Sequence, residues 1–250
     1  MKTRIGYDNL LEKGVVAASS QDAANPVENC FDWNTADWFK SAAGGTINLE
    51  LTLATAGAAD YLAFYGHNLP SVAGTIKLQY DLGAGYVDAT ATITPTDTKP
   101  VMVFFGSQSA TNWRVVITAS AAITLGVLSF GTALVLPRGM YLGWTPPRLA
   151  RATRLVNSVS EGGAFLGRSR ISTGVMTSLN LNNAPDAWVD ANWPAFVLHA
   201  ESKSFFFVPD ALGHPADVAL CWVDGEQMPP PSHVHFGYMG ASIPIAGVIE

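Results

Sequence analysis

From Thr46 to Leu53 the chain reads Thr-Ile-Asn-Leu-Glu-Leu-Thr-Leu, with Ile47, Leu49, Leu51 and Leu53 at every second position. A period of two puts these four side chains on one face of a strand and the intervening residues on the other. Further runs of strand type follow at Tyr61–Tyr65, Thr75–Tyr80, Tyr86–Thr94, Val101–Phe105, Trp113–Thr118 and Ile123–Phe130. Asp81-Leu-Gly-Ala-Gly85 separates the third run from the fourth and supplies glycine where a hairpin needs positive φ. Pro70, Pro95 and Pro100 fall between runs, where a missing N–H does no harm. No amphipathic helix interrupts the series. Short strands with turn signals between them predict a β-sandwich or jelly roll over residues 1–136.

The last third predicts a second β-rich domain, residues 163–250, with one short helical segment. Strands are expected at Phe165–Thr173 and Val175–Leu181, joined near Gly174, and at Ser204–Val208, Val218–Val223, His233–Tyr238 and Ile243–Ile249. A short helix is expected at Pro185–Asn192, restarting at Pro194–Glu201, because proline suits a first helical turn and not an interior. Between the domains lies an arginine-rich connector, residues 137–162. Arg138 to Arg170 holds six arginines, no lysine and one acid, Glu161. Residues 1–137 hold seven basic and eleven acidic groups, and residues 171–250 hold Lys203 against eight acids. A basic segment therefore sits between two acidic ones. The fold class expected is all-β in the main.

Composition narrows the function. Charged residues make up 14% of the 250, where about 25% is usual, while 48% are hydrophobic. A folded chain this poor in ions is expected to cover much of its surface with other protein. The net charge of −6 argues against a nucleic-acid partner. Cys30 and Cys221 form no CxxC pair and read as buried thiols. The N-terminus lacks the apolar core of a secretory signal. Val115–Pro137 is uncharged and long enough to span a bilayer, but Thr118, Ser120, Thr124, Gly126 and Ser129 dilute it, so it reads as consecutive buried strands and not as a membrane insertion. There is no GxSxG, Walker A loop or dinucleotide fingerprint, and no enzymatic activity or cofactor is expected. His233-Val-His235 is the best metal candidate, both imidazoles sharing one side of a strand, yet nothing in the spacing supplies further ligands, and no metal site is assigned.

The first 135 residues resemble the galactose-binding-like jelly roll of the discoidin or coagulation-factor C-type group. The resemblance rests on Ala17-Ala-Ser-Ser20, Asn25-Pro26, Phe31-Asp32 with Trp33 or Trp38, Tyr61-Leu-Ala-Phe-Tyr-Gly-His67 and Trp113-Arg-Val-Val-Ile-Thr118. The whole chain also resembles tail-tip or baseplate structural proteins of tailed bacteriophages. Gly131–Gly139 corresponds there to a connector, and Phe165–Arg168, Lys203–Phe207 and Asp217–Val223 to runs of a second β-rich domain. That resemblance implies a non-catalytic virion component of the phage tail, made in the bacterial cytoplasm, which contacts other copies of itself and other tail or baseplate proteins in a symmetric ring or cap.

Two sets of side chains are candidates for binding. Trp33, Trp38, Tyr65 and His67 would form an aromatic platform for a host surface polysaccharide, the alternative function. Arg138, Tyr141, Trp144, Arg148, Arg151 and Arg154 would form an interface with the acidic surface of a neighbouring copy, since guanidinium forks suit carboxylates and pack on aromatic rings.

Overall fold

The computed structural model describes residues 2–140 and 143–249. The chain enters through β1 (Arg4–Gly6), β2 (Val15–Ala18) and β3 (Phe39–Lys40). The alternating run then opens β4 (Gly45–Tyr65), which pairs antiparallel with β7 (Val101–Ala119) after the hairpin of β5 (Thr75–Asp81) and β6 (Tyr86–Asp88). Ile47, Leu49 and Leu51 are buried, as the period of two requires. The two strands expected at Thr46–Leu53 and Tyr61–Tyr65 are one element. The β4–β7 ladder shifts register between Thr52 and Gly57 and again between Ala59 and Tyr61, across a run of small residues. Bulged strands bend. One half of the pair accordingly has β2 and β5 as neighbours, and the other half has β9 (Val127–Gly131). Leu62, Phe64, Trp113, Val115 and Phe130 pack in the core that results. In the Asp81–Gly85 turn, Gly83 and Gly85 have φ of 96° and 105°, and Asp81 Oδ1 accepts from both their N–H groups.

The stretch long enough to cross a membrane forms the end of β7, then β8 (Thr124–Leu125), β9 and β10 (Leu134–Val135). Among the described residues no helix is long and apolar enough to span a bilayer. At the end of β9 a Cβ on Gly131 would lie 1.9 Å from the Asp8 carbonyl oxygen, so only glycine allows this close approach.

A second sheet follows. It comprises β11 (Arg151–Val159), β12 (Phe165–Pro185), β13 (Phe205–Val208), β14 (Ala219–Val223), β15 (Ser232–His235) and β16 (Tyr238–Val248), in the order β10-β1-β13-β14-β16-β12-β11, with β15 on β16. β1 and β10 come from the first 136 residues, and β11 lies in the stretch read as a connector. β13 explains how the layers stack. All four of its residues are buried. Phe205 and Phe207 face α1 (Asp186–Ala200), packing with Trp193 and Phe196, while Phe206 and Val208 face Tyr61, Ala63 and Met102 of the jelly roll. The described residues thus stack as jelly roll, sheet, helix. Mainly all-β is the correct class.

Two expectations change in detail. The helix runs unbroken through Pro194, whose side is exposed, because Val189, Trp193, Phe196 and Ala200 all bury on the inner face. That burial outweighs the one hydrogen bond proline removes. β12 likewise runs on through Gly174, where a Cβ would stand 2.7 Å from the Gly247 carbonyl oxygen.

Candidate functional site

Trp33 lies at the seam between jelly roll and second sheet. Its backbone is left-handed, at φ 67°, which is rare for a bulky residue. The surroundings hold it there. Its indole N–H donates to Glu12, its carbonyl accepts from Ser204 Oγ at 3.2 Å, and its ring meets the His199 imidazole edge-on at 4.8 Å. Glu12 also pairs with Lys203. His199 lies within hydrogen-bond range of the Ser204 carbonyl, at 2.7 Å, and burial holds its pKa below the usual histidine range. After Trp33 the loop closes by consecutive side-chain turns, with Asp32 Oδ1 accepting from Asn34 N–H and Asn34 Oδ1 from Ala36 N–H. Burial of the Asp32 carboxyl raises its pKa.

This anchored loop forms one wall of an open crevice of about 420 Å³. Asn34 and Thr35 line that wall; the end of α1, with Glu201 and Lys203, lines another, and Trp222 and Glu226–Met228 complete it. Trp222 lies at the end of β14, 40% exposed, next to buried Cys221. The crevice lining therefore carries the Trp222 indole, the carboxylates of Glu201 and Glu226, the amides of Asn34 and Gln227, the hydroxyls of Thr35, Ser202 and Ser204, and the ammonium of Lys203, which is paired with Glu12. These are groups that bind hydroxyls from several directions, with an aromatic surface beside them.

Of the sequence-predicted aromatic platform, only Trp33 reaches this crevice, and its ring is buried in the seam. Trp38 is 44% exposed just before β3, its carbonyl accepting from Asn29 at 3.3 Å. Tyr65 ends β4, half-buried, with its hydroxyl pKa raised by burial. His67 is buried beneath the Phe64 ring, with Nε2 3.3 Å from the Lys99 carbonyl, and burial lowers its pKa. Trp38, Tyr65 and His67 are outside the crevice walls. Trp222, Glu201, Lys203, Glu226 and Gln227 were not legible as a group. The one signal was a large aromatic next to the Asp224-Gly225 turn.

The interface candidates also divide. Arg148 pairs within the chain: its guanidinium is 2.7 Å from Asp217 Oδ2 and its backbone N–H donates to Asp217 Oδ1 at 2.8 Å. Trp144 is half-buried against the second core. Arg138 is exposed, its guanidinium 5.7 Å from the Tyr238 ring, and Arg151 and Arg154 are exposed on β11. Tyr141 lies outside the described residues. His233 Nδ1 is 3.8 Å from Asp186, and His235 lies edge-on to Tyr238. Among the described residues no group of three His, Cys, Asp or Glu is placed to hold a metal. Burial raises the pKa of both cysteine thiols, which suits apolar packing groups.

No protein-family model matches the chain, and no curated relative does. Solved structures similar to it include a pectin-binding carbohydrate-binding module, at 12% identity and a TM-score of 0.39, over 46% of this chain and 88% of that one. A chitosan-binding module from a chitosanase/glucanase of Paenibacillus sp. IK-5 aligns at 20% identity and 0.40, over 49% and 98%. A putative alpha-L-fucosidase from Bacteroides thetaiotaomicron aligns at 18% and 0.42, over 50% of this chain and 28% of the fucosidase.

Proposed function

We propose that the chain is a non-catalytic carbohydrate-binding protein and that the crevice between the Trp33 loop and Trp222 receives the glycan. The observation that supports this reading is the half-exposed indole of Trp222 among converging polar groups on a scaffold held by buried contacts. Aromatic faces stack on the C–H faces of sugar rings, and the flanking amides and carboxylates suit hydroxyls. Glu201 and Glu226 select against phosphates and uronic acids, because like charge disfavours binding. Neutral sugars and amino sugars are the class that fits. The test is a glycan array followed by calorimetry. Trp222→Ala is expected to weaken binding about tenfold, the effect of losing roughly 1.4 kcal/mol, while Trp38→Ala leaves it unchanged. An array with no bound neutral or amino sugar, or equal affinity in Trp222→Ala, overturns the reading.

A second reading is that of a structural subunit of a phage tail tip or baseplate, located in the virion and docked to like copies and other tail proteins. A different feature favours it: the outer part of the β11–β12 pair carries apolar side chains and arginines in water. The two roles are compatible in one chain. Antibody labelling of tails in negatively stained virions tests this reading, with label expected at the tail tip and its absence counting against it.

A further inference from the structure

β12 pairs with β16 only from Val175 onward. Before that point, residues 165–174 pair with β11 alone, so residues 151–174 form a two-stranded ribbon that leaves the sheet. A two-stranded ribbon has no second layer of its own and is marginal in water. Apolar residues on such a ribbon cannot be buried by the ribbon itself. Here Leu155, Val156, Val159, Phe165, Leu166 and Ile171 are all exposed, Phe165 at 64% and Leu166 at 68%. β11 is also the edge strand, with its outer hydrogen-bonding groups unpaired by any strand among the described residues. The ribbon carries Arg151, Arg154, Arg168 and Arg170 against Glu161, whereas the rest of the chain holds ten basic and nineteen acidic groups.

A second surface has the complementary character. Helix α1 is apolar on both sides. Its inner side packs on β13, and its outer side presents Ala191, Pro194, Ala195 and Leu198, the last 70% exposed. A helix apolar all round is one that is covered all round. Asp190 and Glu201 flank that outer face, and the helix contains no lysine or arginine.

We infer that the β11–β12 ribbon of one molecule docks on the outer face of α1 in a second copy of this chain, with Arg168 and Arg170 opposite Asp190 and Glu201. Two different surfaces meet, so the contact is head-to-tail and generates a ring or a filament. The inference rests on the assembly reading of the function; it shares Glu201 with the crevice, and the glycan reading is tested apart from it by Trp222→Ala.

Light scattering on the purified protein, from micromolar to near-millimolar concentration, tests it. The wild type is expected to exceed the 26.5 kDa of one chain at least twofold. Arg168→Glu with Arg170→Glu, and separately Asp190→Arg with Glu201→Arg, are each expected to return a single-chain mass. Mixing the two variants is expected to restore the complex, because the reversed ribbon then meets a reversed helix. Where either variant loses its circular-dichroism signature, oxidation of mixed Ile171→Cys and Leu198→Cys proteins takes its place. A disulfide-linked pair is the supporting result and its absence an overturning one, since Cys30 and Cys221 are both buried. A wild type that stays at single-chain mass overturns the inference. Oligomers that survive ribbon reversal also overturn it, while leaving assembly through another surface intact. A mixture that fails to reassemble removes α1 as the docking face.

Discussion

β4 and β12 are each 21 residues long and each pairs antiparallel with a long neighbour, yet the two regions have opposite surroundings. β4 has β7 on one edge, β2 and β9 on the other, and a face packed on the first core. The outer half of β12 has one neighbour, and both faces are in water. Strand length is alike, and both strands are hydrogen-bonded to an antiparallel partner. Side-chain burial differs, and burial is the dominant favourable term in folding. In β4–β7 the apolar side chains hold the molecule together. On the ribbon the same kinds of side chain contribute nothing to the isolated chain and remain available for contact.

The comparison is tested most severely in β7. Trp113 is fully buried, its indole N–H donates to the Ala110 carbonyl at 3.1 Å, and its ring packs on Tyr80 and Phe130. Trp113→Ala is expected to lower unfolding free energy by about 3–5 kcal/mol in urea titration. A change of equal size on the ribbon would erase the contrast. An intermediate effect is expected from pH. His67 and His199 are both held below the ordinary histidine value by burial, so their neutral forms belong to the folded state. Their contribution is complete above about pH 6.5, the unfolded value, and is lost as pH falls through the lowered folded values. Melting temperature should therefore drop between pH 7 and 5, and less steeply in His199→Asn; the ribbon holds no histidine and should add nothing. The smallest effect is expected for Phe165→Ala with Leu166→Ala. Stability of the dilute chain should change by no more than about 0.5 kcal/mol, since neither side chain has a covering layer to lose.

The parts of this fold that were legible are those where local pattern and environment agree. Ile47 to Leu53 alternates and has one covered face, and Asp81 to Gly85 carries both the carboxylate and the glycines its turn uses. The rest depended on contacts between distant segments. β1 and β10 are three and two residues long, and their place beside β13 is fixed by packing with no periodicity to reveal it. Pro194 reads locally as a break, but Trp193 and Phe196 keep the helix whole. Residues 151–159, within the stretch 137–162, read as a connector because Leu155, Val156 and Val159 give no clean alternation; two register shifts in that ladder show why. The crevice was the least legible. Its walls come from residues 33–35, 200–204 and 222–228, and no single window of sequence contains even two of them.

β13, with Phe205 and Phe207 turned one way and Phe206 and Val208 the other, ties the two halves of the gene to a common fate. A fragment encoding residues 137–250 alone would strip the strand of its β1 neighbour and expose two large side chains to solvent. A recombination event that exchanged the jelly roll for an unrelated one would have to reproduce the hollow that Tyr61, Ala63 and Met102 provide. The halves are therefore expected to be inherited together and to resist shuffling.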